Sequence, residues 1–147
     1  MSDKPMSILL AEDDDGQACL IMRNLKRAGV VNEIIHVKNG QQALDCIRYE
    51  GAFAGRPHNG PLLVILDINM PHFNGVEVLR RIKSDSKAAK IPVVILTTTD
   101  DPREVQPYHD LGYSAFVTKP VAYTAFVEAL RKLGFYLQVI KLASESD

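Results

Sequence analysis

Leu62-Leu63-Val64-Ile65-Leu66-Asp67-Ile68-Asn69-Met70-Pro71 decides the fold. Five apolar residues run without a polar break into one carboxylate, between Pro61 and Pro71. A strand with one wet face alternates apolar and polar residues. A continuous apolar run predicts a strand covered on both faces, as in parallel sheets. Asp67 stands where that strand should end. In open α/β sheets the ligand crevice lies outside the carboxyl ends of the strands, so Asp67 is placed where chemistry is done.

Outward from this stretch the chain repeats one pattern. Val93-Val94-Ile95-Leu96 is a second fully apolar strand, ending at Thr97-Thr98-Thr99. Met6 to Ala11 is a strand that ends at Glu12-Asp13-Asp14-Asp15. Glu33 to Val37 is another, and Ala115 to Thr118 runs into Lys119-Pro120. Helical spacing fills the gaps. Gly16 to Ala28 puts Ala18, Ile21, Leu25 and Ala28 on one face, with Gly29 as a stop. Gln41 to Tyr49 turns Ala43, Leu44 and Ile47 inward, and Val76, Leu79, Ile82 and Lys83 define a third helix.

Asp101-Pro102-Arg103-Glu104 is a helix start with a cap and a proline at the first helical position. Pro107 falls inside that fourth helix and removes a hydrogen bond, costing up to ~3 kcal/mol, so the helix is expected to be short, bent or loosely held. Ala122 begins the last helix, with Phe126, Leu130, Leu133 and Leu137 on one stripe. Residues 51–61, containing Arg56, His58 and Asn59, read as a loop, and so does Asn69 to Gly75. Five βα units without a Gly-rich phosphate loop predict an α/β fold, a doubly wound five-stranded parallel sheet with helices on both faces. The expected organisation is one domain over 1–147, with a core at about 6–136 and an extension at 137–147.

Composition narrows the function classes. The 147 residues are 46% hydrophobic and 24% charged, with a formal net charge of −1. That balance offers no electrostatic attraction to nucleic acid or an anionic membrane. Arg80-Arg81 with Lys83 reads as a solvated helix face. The N-terminus has no signal-peptide apolar region, and no run approaches a membrane span. Cys19 and Cys46 form no Cys-x-x-Cys pair, which predicts buried or half-buried thiols in a reducing cytoplasm.

The strand ends carry the chemistry. Four consecutive acids after the first strand repel one another. Asp14 or Asp15 can cap the next helix, but Glu12 and Asp13 need another reason, and a divalent cation is one. Mg²⁺ takes hard oxygen ligands. Asp13 and Asp67 can supply two oxygens, with Glu12 acting directly or through water, and the Asn69 loop a main-chain carbonyl. The metal and Lys119 would neutralise an incoming phosphoryl group, letting Asp67 act as the nucleophile. Thr97 is placed to hydrogen-bond that group. Singly, the threonine is β-propensity, the lysine solvated surface, and Asp67 a turn residue. Together, at successive strand ends, they point to phosphoryl transfer.

With these residues in place the chain resembles the receiver domain of two-component response regulators, the flavodoxin-like chemotaxis-regulator fold. Glu12-Asp13 matches the acidic pair, Asp67-Ile68-Asn69-Met70-Pro71 the phosphoacceptor motif, Thr97-Thr98 the switch hydroxyl and its small neighbour, and Lys119-Pro120 the Lys-Pro pair. The match covers residues 6 to 136. Glu12 stands where many members have Asp, a variant that keeps the metal role. The resemblance implies that Asp67 accepts phosphate from a sensor histidine kinase with Mg²⁺, or Mn²⁺ or Ca²⁺. It also implies that Thr97 and Phe116 form the switch pair and that the Lys119–Pro120 bond is cis.

The loop at 51–61, the Leu-Thr-Thr run and Phe135-Tyr136-Leu137 before an extension are similar to the small single-domain regulators paired with bacterial phytochromes. That group implies a homodimer through the fourth helix, fifth strand, fifth helix and tail. With no output domain following, the signal would leave by protein contact or by onward phosphotransfer. No nucleic-acid or membrane partner is expected, nor enzyme activity beyond self-catalysed phosphotransfer and slow autodephosphorylation. Two other classes compete. A phosphohydrolase of the haloacid-dehalogenase type needs a general acid two residues after the nucleophile, where Asn69 stands. A phosphorylation-independent interaction module would have no use for Asp13, Asp67, Thr97 and Lys119.

Overall fold

The computed structural model describes residues 6–27, 29–30, 32–55, 62–68, 70, 75–97, 103, 106, 108, 110–112, 115–118, 124–125 and 128, with the backbone alone at Phe116. Five strands, β1 (Ser7–Ala11), β2 (Ile34–Val37), β3 (Leu62–Asp67), β4 (Val93–Thr97) and β5 (Ala115–Thr118), form one sheet in the order β2-β1-β3-β4-β5. Every pairing is parallel. The predicted α/β class, strand count and strand direction hold.

The helices explain why β3 and β4 lack a polar face. Leu9, Ala11, Val64, Leu66, Val93 and Ile95 face α2 (Gly40–Arg48) and α3 (Gly75–Ser84). The alternate residues Ile8, Leu10, Leu63, Ile65, Val94, Leu96 and Val117 face the other way, where α1 (Asp15–Arg27) supplies Ala18, Ile21 and Leu25. Fully burying a Leu, Ile or Val contributes about 1.5–3 kcal/mol. The two-sided sheet is therefore the main stabilising element.

Local chemistry sets the helix ends. Asn39, in extended backbone, caps α2 by accepting a hydrogen bond from the Gln42 N–H at 2.8 Å. Tyr49, in left-handed backbone at φ 59°, ends α2 one residue earlier than the spacing predicted. Two short 3₁₀ turns, Gly51–Phe53 and Ala88–Lys90, carry no periodic signal. In α3, Val78 is buried alongside Leu79 and Ile82. Lys83 instead turns its Nζ to the Ala89 carbonyl at 3.1 Å, and partial burial lowers its pKa.

One expectation is corrected. Cys46 is buried but Cys19 is exposed, because Ala18, Ile21 and Leu25 set the inward face of α1 and Cys19 lies about 100° around from Ala18. Ala28, Pro107, the helix start at 101–104 apart from Arg103, the Lys119–Pro120 bond and the extension at 137–147 lie outside the described residues. Among the described residues no helix is long and apolar enough to cross a membrane.

Candidate functional site

β1 and β3 lie side by side, with Ala11 opposite Leu66. Their carboxyl ends therefore deliver Glu12 and Asp67 to the same edge of the sheet. The helices that follow leave on opposite faces, α1 on one and α3 on the other. That divergence opens the crevice which strand order 2-1-3-4-5 places at this edge.

The turn after β1 is tied down bond by bond. The Glu12 N–H donates to the Val37 carbonyl at 3.0 Å. The Glu12 carboxylate accepts from the Asp14 N–H at 3.2 Å. Asp14 caps α1, its side chain accepting from the Gln17 N–H at 3.0 Å. Asp15 pairs with Lys38 at 2.9 Å on the surface. This accounts for the four consecutive acids: Asp14 caps, Asp15 takes a surface partner, and Glu12 and Asp13 remain for the crevice.

Asp67 ends β3 opposite Leu96 of β4, and the next residue donates its N–H to the Leu96 carbonyl at 3.2 Å. Asp67 and Glu12 are 2% and 1% exposed, whereas Asp13 is exposed. One carboxylate oxygen from each of Glu12, Asp13 and Asp67 lies within 4.8 Å of the others. Two of these carboxylates, Glu12 and Asp67, are buried, where like charges are screened less than in water. Three close carboxylates, two of them buried and one open to solvent, form a hard-oxygen donor set that fits a divalent cation with retained water.

Thr97 ends β4 and is fully buried, one residue beyond the partner of Asp67 in the sheet register. Lys119, the Asn69 carbonyl and the Phe116 ring lie outside the described residues. The structure thus brings together Glu12, Asp13 and Asp67 and places Thr97 on the next strand.

Two neighbours of the site went unnoticed in the sequence. Tyr108 is buried in the cluster that holds Ile68 and Met70. Its phenol pKa is raised, first by burial and then by the negative charge of Asp67. His36 on β2 places Nε2 2.8 Å from the Glu12 carbonyl oxygen. A lone tyrosine or histidine carries no spacing signal, so only the assembled sheet reveals them.

Fold and site define a doubly wound parallel α/β domain with an acidic triad at its carboxyl edge. A family model for the response regulator receiver domain matches residues 8–131, and the chain belongs to that family. It is 32% identical over 136 residues to the probable methanogenesis regulatory protein FilR2 of Methanothrix harundinacea, covering 92% of this chain and 85% of that one.

Two solved structures are also similar. The bacteriophytochrome response regulator RtBRR aligns with a TM-score of 0.84 at 34% identity, covering 97% of this chain and 91% of that one. The phosphorylated cyanobacterial phytochrome response regulator RcpA aligns with a TM-score of 0.73 at 31% identity, covering 91% and 95%. The expected flavodoxin-like receiver fold and the likeness to phytochrome-paired regulators both hold. Receiver domains are signalling modules of two-component systems that receive phosphoryl groups from histidine kinases.

Proposed function

We propose that this receiver works by phosphorylation of Asp67, and that the donor is a phytochrome-type histidine kinase. The observation that carries the reading is the convergence of Glu12, Asp13 and Asp67 within 4.8 Å at neighbouring strand ends. Mg²⁺, or Mn²⁺ or Ca²⁺, held there and by the Asn69 carbonyl, supplies the positive charge that lets an anionic nucleophile meet an anionic phosphoryl group. An Asp67 oxygen attacks phosphorus, the bond from phosphorus to the donor nitrogen breaks, and that nitrogen keeps the electron pair. The product is an acyl phosphate on Asp67.

Lys119 neutralises phosphoryl charge. Thr97 hydrogen-bonds a phosphoryl oxygen and, with Phe116, passes the change to the surface. The burial of Thr97 beside the Asp67 strand supports its part. Asn69 and Thr99 are weak bases, so autodephosphorylation is slow. The names of the two solved neighbours support the phytochrome link. The domain covers 1–147, acts in the cytoplasm, and forms a homodimer through the fourth helix, β5, the fifth helix and the tail.

The test is incubation of the full chain and of Asp67→Asn with Mg²⁺ and acetyl phosphate, followed by intact mass. One slowly lost phosphoryl group on the native chain and none on the variant is expected. Undiminished Mg²⁺-dependent labelling of Asp67→Asn would overturn the nucleophile assignment. Steady phosphate release without a labelled protein would make the chain a hydrolase. Transfer from a phytochrome-type kinase no faster than from unrelated kinases would refute the pairing.

A further inference from the structure

We infer that His36 is a positioning residue for the metal-binding turn: it holds the peptide between Glu12 and Asp13 so that both carboxylates face Asp67. The inference rests on the metal reading above. His36 sits on the edge strand β2, opposite Leu10, and is half-buried. Its Nε2 lies 2.8 Å from the Glu12 carbonyl oxygen. A carbonyl oxygen can only accept, so Nε2 is the donor, and in the neutral ring the proton is on Nε2. The imidazolium donates from the same nitrogen, so the bond outlasts a change in ring charge.

The consequence follows from which peptides are held. The Glu12 N–H, in the peptide before its Cα, donates to the Val37 carbonyl at 3.0 Å. The Glu12 carbonyl, in the peptide after its Cα, accepts from His36. Both anchors are on β2, one main chain and one side chain. With both flanking peptides fixed, rotation about the Glu12 Cα is restricted in φ and ψ together. That fixes the direction of the Glu12 side chain and the point from which Asp13 departs. The bond from the Asp14 N–H to the Glu12 carboxylate then completes the turn at 3.2 Å. Lys38, two residues after His36, places its Nζ on Asp15, in a pair 56% and 71% exposed. Such a pair contributes little, so of these two side-chain contacts the one from His36 is the firmer hold on the turn.

Groups that orient metal ligands from behind alter metal affinity by roughly 10–100-fold when removed. His36 acts through main chain, one step further back, so about 10-fold is expected. The experiment is a Mn²⁺ titration of the full chain and its variants, read by the electron paramagnetic resonance of the free ion. Thermal melting without metal verifies folding. His36→Leu should bind Mn²⁺ about 10-fold more weakly. His36→Gln, whose longer amide can donate to the same carbonyl, should recover most of the affinity. His36→Asn is too short to reach and should behave as His36→Leu, and it carries the comparison if the leucine variant does not fold.

Unchanged affinity in His36→Leu, or equal weakening in His36→Gln and His36→Asn, would overturn the inference. A native chain that binds no Mn²⁺ would overturn the metal reading itself.

Discussion

Gly75 opens α3 where that helix crosses the end of β3, and its N–H donates to the Ile68 carbonyl at 3.3 Å. A Cβ added there would lie 2.5 Å from the Ile68 Cα and 2.8 Å from both its Cβ and Cγ2. Carbon atoms in contact sit about 3.5–4.0 Å apart, so α3 and β3 would have to part by about 1 Å. No rotamer relieves a clash with backbone. Overpacking of this kind costs about 1–3 kcal/mol, and the backbone contact puts Gly75→Ala near the upper end. The better helix propensity of alanine offsets less than about 1 kcal/mol of that.

A net loss of about 2 kcal/mol should lower the melting temperature by roughly 4–8 °C, at about 2–4 °C per kcal/mol for a domain of this size. Gly55→Ala is the control, since no atom lies within 4 Å of its added Cβ and its backbone is not left-handed. It should be neutral or stabilising by up to about 1 kcal/mol. Thermal melting by far-ultraviolet circular dichroism reads both variants. Equal melting temperatures for Gly75→Ala and the native chain would refute the reasoning, because the helix would then have moved without cost.

Thiol accessibility gives a second check: a thiol reagent should modify Cys19 rapidly in the native protein and Cys46 only on unfolding, and two rapid thiols would contradict the burial of Cys46. Asp85 accepts hydrogen bonds from the Lys87 and Ala88 N–H groups at 2.9 and 3.3 Å, which hold its pKa below 3.8, with the nearby Arg48 acting in the same direction. A lowered native pKa contributes stability that is present above the unfolded value and lost as pH falls through the native one. Asp85→Asn should therefore show a shallower loss of stability than the native chain below about pH 4 in urea titrations, and parallel acid limbs would refute this. Sedimentation of the full chain against a version ending at Gly134 tests the homodimer; equal monomeric behaviour of both, with and without acetyl phosphate, would remove it.

What could be read in the sequence follows from what leaves a linear trace. β3 and β4 announced themselves because burial on both faces makes every residue apolar, a signal that survives without any neighbour. Glu12, Asp13 and Asp67 were legible because charge at the end of such a run has few structural explanations. His36 was not, since its role arises from the register that sets Leu10 against His36 and Ala11 against Val37. Tyr108 joins the cluster that holds Ile68 and Met70 only through tertiary packing. Cys19 was misplaced because a helical pattern gives a face only to residues in phase with it, and a small thiol fits either side.

The pairing of β1 with β3 has a consequence for how the protein comes into being. The acids after β1 are synthesised well before Asp67, and the two groups meet only when these non-consecutive strands align. A chain holding only its early βα segments has Glu12 and Asp13 but not Asp67, and so lacks the three-carboxylate cluster. Mutual repulsion of Glu12 and Asp67 is postponed until the central sheet exists to hold them together. Ion binding should then stabilise the completed sheet by mass action and leave earlier intermediates untouched. Divalent ions should accordingly slow unfolding and leave the first steps of folding at their own pace.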